Sequence, residues 1–373
     1  MDQALVAEHY NRRKDEGKEG RKSSRIIRLR NLNNWIKAVL IGLHSRPGCV
    51  VLDLACGKGG DLLKFARAQV SHWVGVDHAR VSLEHAVQRY NDLGPKQRSF
   101  PAHFLCGDVF GVDLEANLDL EWPAFDLVSC QFAVHYAFES EQRVRQMLHN
   151  VTCRLKPGGF FIGTTPDANV LVSKLRAASG LSFGNSIYRI SFENSSQSID
   201  ADGTSADLGN LEHDPAPTLE TATSAAKRFP PSRPFGIRYH FTLDENVEDC
   251  PEYLVHFPTF ERIAAEYDLE LLLRMNFHAF VNAFALQADA PARFRDLFQR
   301  MQVLDPESGT ISPEEWDAAY LYLVFAFRKR GQGPSAATER HAPVQTEQAA
   351  PLDPQLSIRD LSAPSKPGNS GDT

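Results

Sequence analysis

A chain of 373 residues can bury one large core or two modest ones. Its 42% hydrophobic and 23% charged content is that of a globular protein, and a net charge of −7 argues against a wholly basic nucleic-acid binder. No apolar run reaches the roughly 20 residues that span a bilayer, and the polar N-terminus carries no signal-peptide core. Six cysteines without a CxxC pair fit buried thiols in a reducing compartment better than disulfides or zinc.

Residues 1–28 form a basic N-terminal segment, in which Arg12, Arg13, Lys14, Lys18, Arg21, Lys22, Arg25 and Arg28 outnumber the acids. A solvated face is the default reading, and a phosphate-contacting surface is the sharper one. The main domain is expected over 29–330. Leu29, Leu32, Ile36, Val39 and Leu40 recur at helical spacing, which leaves Asn33, Asn34 and Lys37 on a different face. Such a helix would cover one edge of a nucleotide pocket.

The run Val50-Val51-Leu52-Asp53 ends on an acid, breaks into the turn Ala55-Cys56-Gly57-Lys58-Gly59-Gly60, and reopens as a helix at Leu62. A second run, Trp73 to Val76, ends on Asp77. The spacing fits a βαβ unit that holds a nucleoside, with Asp77 placed for ribose hydroxyls. A helix carrying Arg89 follows over Val81–Tyr90. Strands are predicted at Ala102–Cys106, closing on Gly107-Asp108, at Phe125–Cys130, leading into Gln131, and at Phe160–Thr165. The alternation with helices predicts a parallel α/β sheet. Right-handed crossovers then gather Asp53, Asp77, Asp108 and Gln131 on one rim.

Residues 194–234 are rich in Ser, Asp, Ala, Thr and Pro and read as a disordered insertion. It separates two strands, Ile187–Phe192 and Phe235–Phe241, expected to pair antiparallel. Pro258–Tyr267 reads as a helix, Leu269–Leu273 as a strand, and Phe277–Met301 as helical with a break near Pro291. Ala319–Phe327 reads as a long strand. The tail over 331–373 is Pro-, Ser-, Ala- and Gln-rich and expected to be disordered, so that removing 334–373 would leave activity unchanged.

The spacing Asp53-x-Ala55-x-Gly57-x-Gly59 resembles the D/E-x-G-x-G-x-G motif of S-adenosylmethionine-dependent methyltransferases, with Ala55 in place of the first glycine. The donor methyl of such enzymes is already activated on a sulfonium, so in-line SN2 transfer needs positioning and electrostatics rather than a metal or a general base. The strings Asn31–Lys37, Val51–Leu62, Cys130–Tyr136, Phe161–Pro166, Pro251–Val255 and Tyr322–Phe327 together resemble the eukaryotic mRNA cap guanine-N7 methyltransferases.

That resemblance implies a Rossmann-like class I methyltransferase: a mostly parallel seven-stranded sheet with an antiparallel last strand and helices on both faces. It implies methyl transfer from S-adenosylmethionine to N7 of the guanine that caps nascent mRNA. The donor site would be Lys37, Asp53, Ala55, Gly57, Asp77, Asp108, Gln131 and Tyr136. Lys37 would face the methionine carboxylate, Asp77 the ribose and Asp108 the adenine end. The cap would meet Asn33, Asn34, Lys58, Lys64, Arg89, His135, Glu252 and Tyr322. His135, Tyr136 and Glu252 would position the guanine, with no residue acting as acid or base. For His135, Glu252 and Tyr322 the assignment rests on the resemblance alone.

Capped RNA is the implied partner, alongside capping enzymes or the RNA polymerase II machinery, with a nuclear setting and a monomeric state. Two other readings stay open. One is a methyltransferase of the same fold acting on a small molecule or another RNA position. The other is a non-catalytic subunit that binds capped RNA or recruits capping factors.

Overall fold

A computed structural model describes residues 24–193, 227, 229, 233–331 and 349–361. The basic residues from Arg12 to Lys22 and nearly all of the insertion expected at 194–234 lie outside them.

Helix α1 (Ile27–His44) buries the predicted stripe Leu29, Leu32, Ile36, Val39 and Leu40, joined by Trp35 and Ile41. Its N-cap residue, Ile26, supplies no capping side chain. The carboxylate of Glu315 accepts instead from the backbone N–H groups of Arg28 and Leu29, at 2.9 and 3.0 Å. Arg25 and Arg28 are the basic residues of the 1–28 segment that fall among the described residues. Arg25, Arg28 and Arg30 pair with Asp244, Asp305 and Glu245 at 3.1, 2.7 and 3.6 Å. They fasten α1 to the rest of the fold.

The chain continues as β1 (Val50–Leu54), α2 (Leu62–Arg67), β2 (His72–Asp77), α3 (Arg80–Asn91), β3 (Ala102–Cys106), β4 (Phe125–Gln131), α4 (Val134–Ala137), α5 (Glu141–Thr152), β5 (Leu155–Pro166) and α6 (Ala168–Ala177). Four short strands follow: β6 (Ser182–Gly184), β7 (Tyr188–Phe192), β8 (Arg238–Leu243) and β9 (Val247–Tyr253). They form a separate antiparallel sheet, in which β7 and β8 pair as predicted. Then come α7 (Phe257–Glu266), β10 (Leu269–Asn276), α8 (Phe277–Val281), a π-turn at Asn282–Leu286, α9 (Ala292–Arg300), α10 (Pro313–Tyr320), β11 (Tyr322–Lys329) and β12 (Ile358–Asp360).

The main sheet runs β10-β11-β5-β4-β1-β2-β3-β12. It is mostly parallel, and antiparallel β11 sits between β5 and β10. β1 is buried at every position, as a central parallel strand flanked by helices must be. Apolar clusters fill both faces. One joins α1, α2 and α3 to the sheet, and the other joins α4, α5 and α7 around Phe161, Phe260, Phe325 and Phe327. Each fully buried phenylalanine contributes about 1.5–3 kcal/mol.

Two expectations fail here. The sheet has eight strands rather than seven, because residues of the tail expected to be disordered form β12 against β3. The long strand expected over Ala319–Phe327 begins only at Tyr322. Ser312-Pro313-Glu314-Glu315 is a capping box that starts α10: Ser312 Oγ accepts from the Glu315 N–H at 3.2 Å and donates to its carboxylate at 2.8 Å.

Candidate active site

The carboxyl ends of β1 to β4 open on one cavity of about 570 Å³. Asp53, Ala55, Gly57, Lys58, Asp77, Asp108 and Gln131 reach it from that rim. Asn33, Asn34 and Lys37 reach it from α1, and Arg89 from α3. His135 and Tyr136 enter from α4, Glu252 from β9 and Tyr322 from the start of β11. Lys64 does not line it; its ammonium lies behind the wall, bonded to Asn34 Oδ1 at 2.9 Å.

The loop after β1 is wound in the left-handed region, with φ of +53° at Ala55 and at Gly57. Asp77 fixes it. One carboxylate oxygen accepts from the Gly57 N–H at 2.7 Å, the other from the Ala79 N–H at 2.8 Å. Burial pushes the Asp77 carboxyl up, and the two N–H donors oppose that shift. Asp77 therefore ties the β1 loop to the start of α3 while facing the cavity.

Beneath the loop lies a buried charge cluster. Burial works against ionisation at Asp61, but the Lys37 and Lys64 ammonium groups, at 2.9 and 2.7 Å, hold its carboxyl well below the usual range. Burial pushes Lys64 down to about 8. Asp53 moves the opposite way: burial first, then the Asp61 charge, raise it, against Lys37 and the Ser129 hydroxyl. Two neighbouring acids are thus driven apart. Asp61 is a site residue that the sequence reading missed, although it closes the quoted glycine turn.

Asp108 accepts from the Phe110 N–H at 3.0 Å and is gripped by Arg143 Nη2, at 3.0 and 2.9 Å from its two oxygens. Arg143 was also missed, since nothing in the sequence ties α5 to that acid. Gln131 Nε2 donates to Ser129 at 3.2 Å. The buried Oε1 of Gln131 and Oδ1 of Asn33 have no hydrogen-bond partner among the described residues. Orphaned buried acceptors on a cavity wall are what a bound polar ligand would satisfy.

The opposite wall is built by the second sheet and β11. His135 is 2% exposed, and its Nε2 lies 3.4 Å from Glu252 Oε1. Neither ring nitrogen makes a hydrogen bond among the described residues. Tyr239 stands across from Glu252 in the β8–β9 register and donates its hydroxyl to the second carboxylate oxygen at 2.7 Å. Burial, then the Glu252 charge, push the Tyr239 phenol well up, so it stays a donor. Tyr136 Oη lies 3.6 Å from Cys250 Sγ. Tyr322 packs edge-on to Phe132 with centroids 5.2 Å apart. The wall is aromatic, with a carboxylate and an imidazole set into it.

The chain matches the family described as "mRNA (guanine-N(7))-methyltransferase domain" over residues 1–209 and 218–330. It is 45% identical over 344 residues to mRNA cap guanine-N(7) methyltransferase 1 of Oryza sativa subsp. japonica, spanning 90% of this chain and 84% of that protein. The protein of the same name from Arabidopsis thaliana is 46% identical over 340 residues, spanning 89% and 82%. The mRNA cap guanine-N(7) methyltransferase of Schizosaccharomyces pombe is 37% identical over 336 residues, spanning 88% and 83%. The parallel sheet, the acid-lined rim and these matches agree, and the chain belongs to the mRNA cap guanine-N7 methyltransferases.

Proposed function

We propose that the chain methylates N7 of the guanine cap of mRNA and that the two walls of the cavity divide the work. The observation that carries this division is a single cavity with four acids, Asp53, Asp61, Asp77 and Asp108, on one side and His135 and Glu252 on the other, with Tyr239 holding Glu252 from behind. S-adenosylmethionine supplies, when bound, a methyl already activated on a sulfonium. Asp77 keeps lone pairs beyond its two backbone donors and would take ribose hydroxyls. Asp108, held by Arg143, would accept from the adenine end. Lys37, oriented by Asp61, would meet the methionine carboxylate. The orphaned Oε1 of Gln131 fits the same ligand as an acceptor.

On the other wall Glu252 would accept from guanine N1–H and its exocyclic amine, a pairing adenine cannot offer. Tyr239 holds one carboxylate oxygen and thereby fixes the plane of the group. His135 would donate to O6. Tyr322 and its aromatic neighbours offer a stacking face, worth about 1–3 kcal/mol per base. N7 carries a free lone pair, so no residue has to remove a proton. Transfer moves positive charge from sulfur onto the guanine ring, and a buried carboxylate beside that ring favours the charge as it develops. Lys58, Arg89, Asn33 and Asn34 would meet the cap's phosphates and ribose.

Capped RNA is the substrate that follows from this reading, and we assign the reaction to the nucleus, where nascent transcripts are made, with the capping and polymerase machinery as neighbours. Imaging the tagged chain tests that location. Incubation with labelled S-adenosylmethionine and RNA ending in an unmethylated guanosine cap tests the activity. N7-methylguanosine is expected; its absence from a folded protein that binds the donor would overturn the proposal.

A further inference from the structure

Residues 349–361 lie beyond the end of the family match at 330, and the reaction above gives them no part. They are nonetheless fastened across the β3 edge of the sheet. At one end Arg98 Nε donates to the Ala349 carbonyl at 2.8 Å, while Asn91 and Leu352 exchange two hydrogen bonds at 2.7 and 2.8 Å. Further on, Arg359 pairs with Asp119 at 2.8 Å and lies 5.3 Å from the Trp122 ring centroid. Then β12 pairs in parallel with Phe104, Leu105 and Cys106. This covers a row of backbone groups that an edge strand would otherwise leave open.

The last contacts fall behind the donor rim. Asp360 meets Arg80 at 2.7 Å, and Arg80 directly follows Ala79, whose N–H holds the Asp77 carboxylate. The Leu361 N–H donates to the Cys106 carbonyl at 2.8 Å. The Leu361 side chain lies so close to Gly107 that a Cβ there would come within 2.6 Å of its Cδ1. Gly107 in turn donates its N–H to the Asp77 carbonyl at 2.9 Å and precedes Asp108. One short segment thus presses on the backbone between Asp77 and Asp108. β11, which carries Tyr322, lies near the other end of the sheet.

We propose that residues 349–361 are a positioning strap for the donor site: acting through Gly107 and Arg80, they hold Asp77 and Asp108 at the spacing that S-adenosylmethionine requires, without touching it. The inference rests on reading the rim as the donor site. The segment is more than an edge cover because its contacts converge on the two peptides that carry rim acids, and small displacements of a supporting group are felt by the ligand it orients.

The test compares the full chain, a chain ending at residue 348, and the full-length variant Asp360→Ala/Leu361→Ala. Calorimetry gives the donor Kd, and steady-state kinetics give KM for S-adenosylmethionine and for a capped oligonucleotide. Truncation should raise donor Kd and KM by about 5–20-fold while the cap KM and kcat at saturating donor stay within about twofold, and the double variant should shift in the same direction by less. A synthetic peptide of residues 349–361 should restore donor affinity to the truncated chain. If truncation leaves the protein unfolded, the double variant decides alone. An unchanged donor Kd, or a matched loss in both substrates and kcat, would overturn the strap. A full chain that bound no donor would overturn the functional reading itself.

Discussion

Asp53, Asp77 and Asp108 stand at or just beyond the ends of adjacent parallel strands, and backbone N–H groups hold Asp77 and Asp108 in place. His135, Glu252, Tyr239 and Tyr322 come from α4, β9, β8 and β11, and are held by side-chain contacts across a buried seam. The proposed donor wall is the standard product of a strand–turn–helix repeat. The proposed acceptor wall exists only once a second sheet has folded against the first. Damage to the donor wall should stay local. Damage to the acceptor wall strands buried polar groups that have no alternative partner.

The largest effect should come from Glu252→Ala. The carboxylate proposed to read guanine is lost, and the Tyr239 hydroxyl and His135 ring are left facing a void. We expect kcat/KM for capped RNA to fall by about 10²–10³-fold, as for a site whose buried donors lose their partner. Donor Kd should hold. Equal losses in both ligands would break the division between the walls.

Asp77→Ala sharpens the same contrast from the other side. It removes the acceptor for two backbone N–H groups and for the proposed ribose contact. Charge-assisted bonds of this kind are worth about 1.5–3 kcal/mol each, which predicts donor binding weaker by about 10–100-fold. Cap-analogue binding, measured by fluorescence quenching, should change little. A larger loss for the cap than for the donor would contradict the assignment.

This contrast also governs what could be read before the structure was known. The rim acids were legible because each closes or follows an apolar run at short spacing, and parallel topology then forces them onto one edge. Asn33 and Lys37 were legible from helical phase. Tyr239 was not, because its partner Glu252 is set by β8–β9 pairing and β8 follows a long insertion. Arg143 and Asp61 act through partners that only the fold brings close. The start of β11 was placed too early because Tyr320, Leu321 and Tyr322 continue an apolar pattern across a helix–strand junction, although the Ser312–Glu315 capping box signals a helix ahead of it. β12 was hidden because a strand of three residues in a Pro- and Ser-rich tail has no period to detect, and its stability comes from the edge it meets.

A smaller effect concerns the amino ends of the same strands. His72, opening β2, stacks on His103 with ring centroids 4.8 Å apart. Burial, then the charge on His103, push His72 down to about 4 from an ordinary value of 6.5. The folded state therefore binds fewer protons than the unfolded chain between these values. Stability from this site should be complete above about pH 6.5 and lost progressively as pH falls towards about 4. Urea midpoints across this range should decline more steeply for the natural chain than for His72→Phe, which keeps a ring in the stack. Parallel curves would show that the histidine is not the cause.

The smallest effects lie in the loop after β1, where Ala55 and Gly57 share a φ of +53°. A left-handed alanine costs about 1–2 kcal/mol in backbone strain. Ala55→Gly relieves that strain. It also adds about 0.4–1 kcal/mol of unfolded-state entropy, and it removes a methyl packed on the apolar cluster, worth about 0.8 kcal/mol. These terms nearly cancel, so thermal stability should move by less than about 0.5 kcal/mol. Gly57→Ala has only the entropy term to offset its strain. Open space surrounds its Cβ position, so no clash arises and no packing is gained. Strain less the entropy term predicts a loss of about 1 kcal/mol. Calorimetric midpoints of the two variants decide the matter. If Ala55→Gly were the more damaging, the packing of that methyl would outweigh the strain at Ala55.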